Sequence, residues 1–97
     1  MITGVRIALD VGSVRIGVAK CDREGLLATP LITITAGPAA LDEVAALVID
    51  HDAICVYVGN PISLAGSETA STKIARDFAR QLSALLLDSS TVVRMID

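Results

Sequence analysis

The 97-residue chain is predicted to fold as an α/β domain on a mixed five-stranded sheet. Three observations carry that expectation. Short apolar runs separated by turns occupy the first 35 residues, which suits an antiparallel meander. After them, apolar segments alternate between helical and extended periodicity, which suits parallel strands joined by crossover helices. The third is the near absence of aromatic residues, 2% of a chain that is 53% hydrophobic. A core of Val, Ile, Leu and Ala favours closely packed helix-on-sheet layers over a sandwich centred on large rings.

The elements follow in order. Residues 5–10, VRIALD, read as a first strand ending at a Gly-Ser turn, and 14–21, VRIGVAKC, as a second. DREG at 22–25 is a turn. LLATPLITIT, 26–35, reads as a third strand, and Pro30 marks it as an edge or bulged one. Leu41, Val44, Ala45, Leu47 and Val48 then follow a helical period, with Asp42 and Glu43 in the first turn, where the helix dipole favours acids. The apolar run 53–59, AICVYVG, suits a strand buried on both faces. NPISLAGSE, 60–68, is a loop leading to a helix that starts at Ser67 or Thr69 and runs to about Leu87. Its apolar face is expected to be Ile74, Phe78, Leu82, Leu85 and Leu86. TVVRMID, 91–97, is the fifth strand. With right-handed crossovers the first strand is central, the meander lies to one side, and the fourth and fifth strands lie to the other. Asp10, the 60–68 loop and Asp97 then share the carboxyl edge of the parallel strands, where open α/β sheets usually bind ligands.

Composition narrows the function classes. The chain carries eight basic and eleven acidic residues, a net charge of −3, which argues weakly against a nucleic-acid binder when taken whole. The distribution is uneven. No Lys or Arg occurs between Gly25 and Thr72, a stretch that holds Asp42, Glu43, Asp50, Asp52 and Glu68. No apolar run reaches the ~18 residues of a membrane span, and no signal peptide opens the chain. Cys21 and Cys55 show neither disulfide-framework nor metal-knuckle spacing and read as reduced thiols of a cytoplasmic protein. The lone His51, after the first helix, is given no catalytic role.

Three segments carry a resemblance: LDVGSVRIGVAKCD, LLATPLITI and YVGNPISLAGSE, in that order and spacing, followed by the strand-ending Asp97. Together they resemble the YqgF/RuvX family, small bacterial proteins with an RNase H-like fold. Members look like Holliday-junction resolvases and are identified as nucleases that process the 5′ end of pre-16S rRNA. The likeness runs from about Val5 to Asp97. Asn60 departs from it, standing where the family usually has an apolar residue. Family members also continue past the position of Asp97 with an acid-bearing motif and a further helix. The 1–97 chain is therefore expected to be a single RNase H-like domain, shortened at its C-terminus and weak or inactive as a nuclease.

What the resemblance implies about residues is specific. Nucleases of this fold hold two Mg²⁺ or Mn²⁺ ions on several carboxylates. By that likeness Asp10 is a metal ligand and catalytic, and Asp97 a second acid at the same rim. The plain alternative for Asp10 is a cap on the Val-Gly-Ser turn, and for Asp97 a solvated terminus. Gly12, Arg15, Asn60, Ser63, Gly66, Ser67 and Lys73 are the expected nucleic-acid contacts, the loop residues through an anion site at the following helix. The alternative for 60–68 is an ordinary loop. Arg76 and Arg80 read as a solvated helical face, and Gly17 as a position kept small at the rim.

The expected partner is structured RNA or branched DNA, with no membrane, and a homodimer through the exposed edge of the fifth strand is a further expectation. Two other classes compete. DVGS followed by IGVAK also resembles the phosphate hairpin of actin/Hsp70-like ATPases, which need a second lobe. A non-catalytic interaction module would use the apolar edge TVVRMI.

Overall fold

The computed structural model describes residues 4–21, 28–59 and 70–96. The elements are β1 (Arg6–Val11), β2 (Arg15–Cys21), β3 (Ala28–Thr35), α1 (Ala40–Asp50), β4 (Cys55–Gly59), α2 (Ala70–Leu85) and β5 (Val92–Ile96). They build one sheet in the order β3-β2-β1-β4-β5. β1 pairs antiparallel with β2 and parallel with β4, and β5 extends the parallel half beyond β4. The expected sheet, with its first strand central, is the one observed. The 22–25 turn, the 60–68 loop, the start of the second helix and Asp97 lie outside the described residues.

Alternation along each strand decides which face is dry. Ile7, Leu9 and Val11 of β1, Ile16 and Val18 of β2, Ile34 of β3, and Val56 and Val58 of β4 are all buried. They sit opposite one another in the ladders, as Leu9 does with Val18 and Val58. Both helices pack on this one face. α1 contributes Ala40, Val44 and Val48, spaced four residues apart so that they form one stripe. The cluster they make with the strands is continuous. The end of α1 is closed by backbone bonds: the Ala53 N–H donates to Val48 O at 3.1 Å, across Asp52 at φ 52°. Glycine is the usual residue there, and an L side chain in that conformation costs roughly 1 kcal/mol.

Pro30 does fall on an edge strand with a register shift. Val18 faces Ile32 while Ala19 faces Pro30, so Leu31 is the extra residue of a bulge. Two expectations need correction. The buried side of α2 is Thr72, Ala75, Ala79 and Leu82, with Leu86 just beyond its end, whereas Ile74 and Leu85 are 37% and 51% exposed. Hydropathy selects the large residues, but the small Cβ atoms of Ala75 and Ala79 let the helix approach the sheet closely. Nor is β4 buried on both faces. Val56 and Val58 are fully buried, while of the residues pointing the other way Cys55 is buried but Tyr57 and Gly59 are only partly covered.

Among the described residues no helix is long and apolar enough to cross a membrane. The packing of α2 makes a contrast that hydropathy alone does not. Leu82→Ala is expected to cost about 2–5 kcal/mol, the usual range for emptying a fully buried leucine. Leu85→Ala should cost clearly less. Urea unfolding of the two variants beside the parent checks this, and equal losses would contradict the packing described.

Candidate functional site

The face turned away from the helices is built by the alternate residues of the same strands. β1 presents Arg6, Ala8 and Asp10, and β2 presents Arg15, Gly17, Ala19 and Cys21. β4 presents Cys55, Tyr57 and Gly59, and β5 presents Val92, Arg94 and Ile96. Two hollows lie on it. One, of about 550 Å³, is lined by Ala8, Asp10, Gly17 and Ala19 and walled by Pro30–Thr33. The other, of about 750 Å³, is lined by Arg6, Cys55, Tyr57 and Arg94 among others.

Charge is separated between the two sides. The strand residues of the open face carry three arginines, Arg6, Arg15 and Arg94, and one acid, Asp10. The exposed side of α1 carries Asp42, Glu43 and Asp50. Among the described strand residues of this face, a chain of net charge −3 thus places three arginines and one carboxylate.

Asp10 is exposed near the carboxyl end of the central strand. Its β2 neighbour in register is Gly17. On the other side, the ladder step after Leu9–Val58 places Gly59 beside it. Among the described strand residues, a carboxylate there has glycine at either hand. The turn at 12–14 is closed by main chain, the Gly12 N–H donating to Arg15 O at 3.0 Å and the Ala36 N–H to Val14 O at 2.9 Å. The Gly12 amide is therefore used by the hairpin. An added Cβ at Gly12 would come within 3.0 Å of that same oxygen, which accounts for the glycine.

The structure brings together some of the expected site residues and separates others. Arg15 is exposed on the same face as Asp10, at the same end of the sheet. Lys73 is exposed on α2, which packs on the opposite face. Arg80 lies beside Asp77 at 3.3 Å on a solvated surface, an arrangement of small energetic weight. Asn60, Ser63, Gly66, Ser67 and Asp97 are outside the described residues. Sequence reasoning missed Gly59, Arg6 and Arg94 as neighbours of the open face. Strand parity counted from the buried Val56 and Val58 would have found them.

The fit of a divalent ion can be tested on donor chemistry. Among the described residues no group of three or more His, Cys, Asp or Glu side chains could hold a metal. Asp10 supplies one oxygen-donor group at this rim, fewer ligands than Mg²⁺ or Mn²⁺ needs from a site of its own. The described residues do not by themselves make that site.

A mixed five-stranded sheet with an acid at the end of its central strand is the RNase H-like class of fold. T. thermophilus RuvC, solved in complex with a Holliday junction substrate, superposes with a TM-score of 0.67 at 12% identity, covering 96% of this chain and 64% of that one. Archaeoglobus fulgidus Pelota superposes with a TM-score of 0.62 at 16% identity, covering 97% of this chain and 27% of that one. At such identities the likeness is one of fold alone. Sequence is more specific. The family model described as RuvX, Holliday junction resolvase, matches residues 4–97, and the chain belongs to that family. A Thermobifida fusca protein named "Putative pre-16S rRNA nuclease" is 47% identical over the whole of this chain and 60% of its own length. The chain spans about 60% of the length of the curated relatives it matches.

Asp10 is an exposed strand residue, and among the described residues no hydrogen bond or ion pair to its side chain is seen. Asp10→Asn is expected to change unfolding free energy by no more than about 0.5 kcal/mol, the usual range for such surface changes. Thermal and urea unfolding would show it, and a large loss would make Asp10 a turn-stabilising residue instead.

Proposed function

We propose that this protein is a nuclease that hydrolyses phosphodiester bonds of nucleic acid and acts on the 5′ end of pre-16S rRNA. The observation that supports this most is the coincidence of a family match over residues 4–97 with an exposed carboxylate at the carboxyl end of the central strand. The named relatives supply the RNA substrate. The family description and the RuvC–junction complex favour a second reading, a nuclease of branched DNA.

In either reading the sequence assigns the same roles. Asp10 stands at the reacting phosphate, and Arg15, on the same face, holds a neighbouring phosphate by charge, positioning the strand without reading its bases. A divalent ion in such nucleases activates water and stabilises the leaving oxygen. Asp10 would be one of its ligands, in a set that the described residues leave incomplete. As a further partner reading, we propose a homodimer through β5, whose outer edge is unpaired in this sheet and whose Val92 and Ile96 are 49% and 44% exposed.

Two experiments bear on this reading. Labelled RNA spanning the 5′ processing site of pre-16S rRNA and a four-way DNA junction are incubated with the protein in Mn²⁺. The expected result is cleavage of the RNA, abolished by EDTA and reduced at least ~100-fold in Asp10→Asn, a loss of the size typical for removing a principal electrostatic or catalytic group. Cleavage that survives the substitution would remove Asp10 from the mechanism, and preferential cutting of the junction would decide for DNA. For assembly, sedimentation velocity should show a dimer that Val93→Pro, which removes a ladder N–H, converts to monomer together with loss of sheet order at β5. A monomeric parent at all concentrations would end the dimer reading.

A further inference from the structure

Asp10 pairs with Gly17 on β2, and Gly59 follows Val58 on β4, one step beyond Leu9–Val58, the last pair of the β1–β4 ladder. Glycine inside a strand is disfavoured, since it packs nothing and loses more chain entropy than any other residue. Where the fold demands a glycine, a local reason can be seen. Gly4 is such a case, because a Cβ there would lie 2.7 Å from the Ile54 side chain, and Gly12 is another, at 3.0 Å from a carbonyl oxygen. Among the described residues Gly17 and Gly59 have no such reason. Of those residues an added Cβ would meet Asp10 Cβ at 3.8 Å in the first case and Leu9 O at 3.6 Å in the second, both ordinary contacts, and neither glycine has a left-handed φ. The packing of the described residues would accept alanine at both positions.

What those two Cβ atoms would obstruct is the approach to the Asp10 carboxylate. Any side chain at 17 or 59 stands on the open face directly beside it. The 550 Å³ hollow reaches Asp10 over Gly17, and arginines at 6, 15 and 94 share the surface. We infer that Gly17 and Gly59 are positioning residues that keep a trough open across β2, β1 and β4, so that the sugar–phosphate backbone of a polynucleotide lies directly on the sheet at Asp10. The ligand enters from the face opposite the helices and crosses the strands there. This inference rests on the nucleic-acid reading proposed above and adds the seat of the strand.

The experiment compares the parent with Gly17→Ala, Gly17→Val, Gly59→Ala and Gly59→Val, with Ala46→Ser, on the exposed side of α1, as a control. Each is melted by circular dichroism and titrated against a fluorescein-labelled RNA hairpin with a single-stranded 5′ extension, read by anisotropy. Expected are melting temperatures at or above that of the parent for the glycine variants. Their RNA affinity should fall a few-fold for alanine and at least ~10-fold for valine, while Ala46→Ser binds as the parent does. Valine variants that bind RNA as tightly as the parent would overturn the inference and leave the nucleic-acid reading standing. Glycine variants that melt well below the parent would also overturn it, because the fold would then be what requires the glycines. A parent that binds neither this RNA nor a four-way DNA junction would overturn the nucleic-acid reading itself, and the trough with it.

Discussion

Everything in this molecule depends on the alternation along β1. Ile7, Leu9 and Val11 point into the layer under the helices and are at most 5% exposed, while Arg6, Ala8 and Asp10 point the other way. β1 is hydrogen-bonded on both sides, antiparallel to β2 and parallel to β4, so its register sets that of its neighbours. A slip by one residue would carry Asp10 into the core and Ile7 out of it, and the cost of burying an unpaired carboxylate forbids that. The buried residues that hold the fold and the exposed residues of the proposed site are thereby placed on opposite faces of one strand.

That division also organises the charges. Overall the chain is acidic, yet the acids of α1 are on the far side of the sheet from Asp10 and the strand arginines share its face. An approaching polyanion responds to the field of the surface it meets, screened beyond about 10 Å at ordinary salt, rather than to the net charge of the chain. Composition alone therefore understated the case for a nucleic-acid partner. Arg15 and Asp10 lie at the same end of one face, and the proposed site is built on that arrangement.

The element order and the central place of β1 were legible in the chain, and so was Pro30 on a bulged edge, because each follows from local periodicity, turn residues and the handedness of crossovers. The buried side of α2 was not. Reading Ile74 and Leu85 as core weighs side chains by size, whereas the helix settles on Ala75 and Ala79, where it can come closest to the sheet. The candidate site was half legible. Asp10 and Arg15 stand out by position, but Gly59 becomes their neighbour only through the β1–β4 ladder, a pairing between residues almost fifty positions apart.

By itself the sequence determined the class of fold, the order of its elements, the alternation that points Asp10 out of the core, and the family to which the chain belongs, because these are properties of local pattern and of motifs in series. Only the tertiary structure decided which face the helices cover, which stripe of α2 meets the sheet, and that two glycines from different strands flank one carboxylate. Those depend on contacts between distant segments, and the free energy of such contacts comes from area removed from water and from close approach, neither of which is written in any single stretch of the chain.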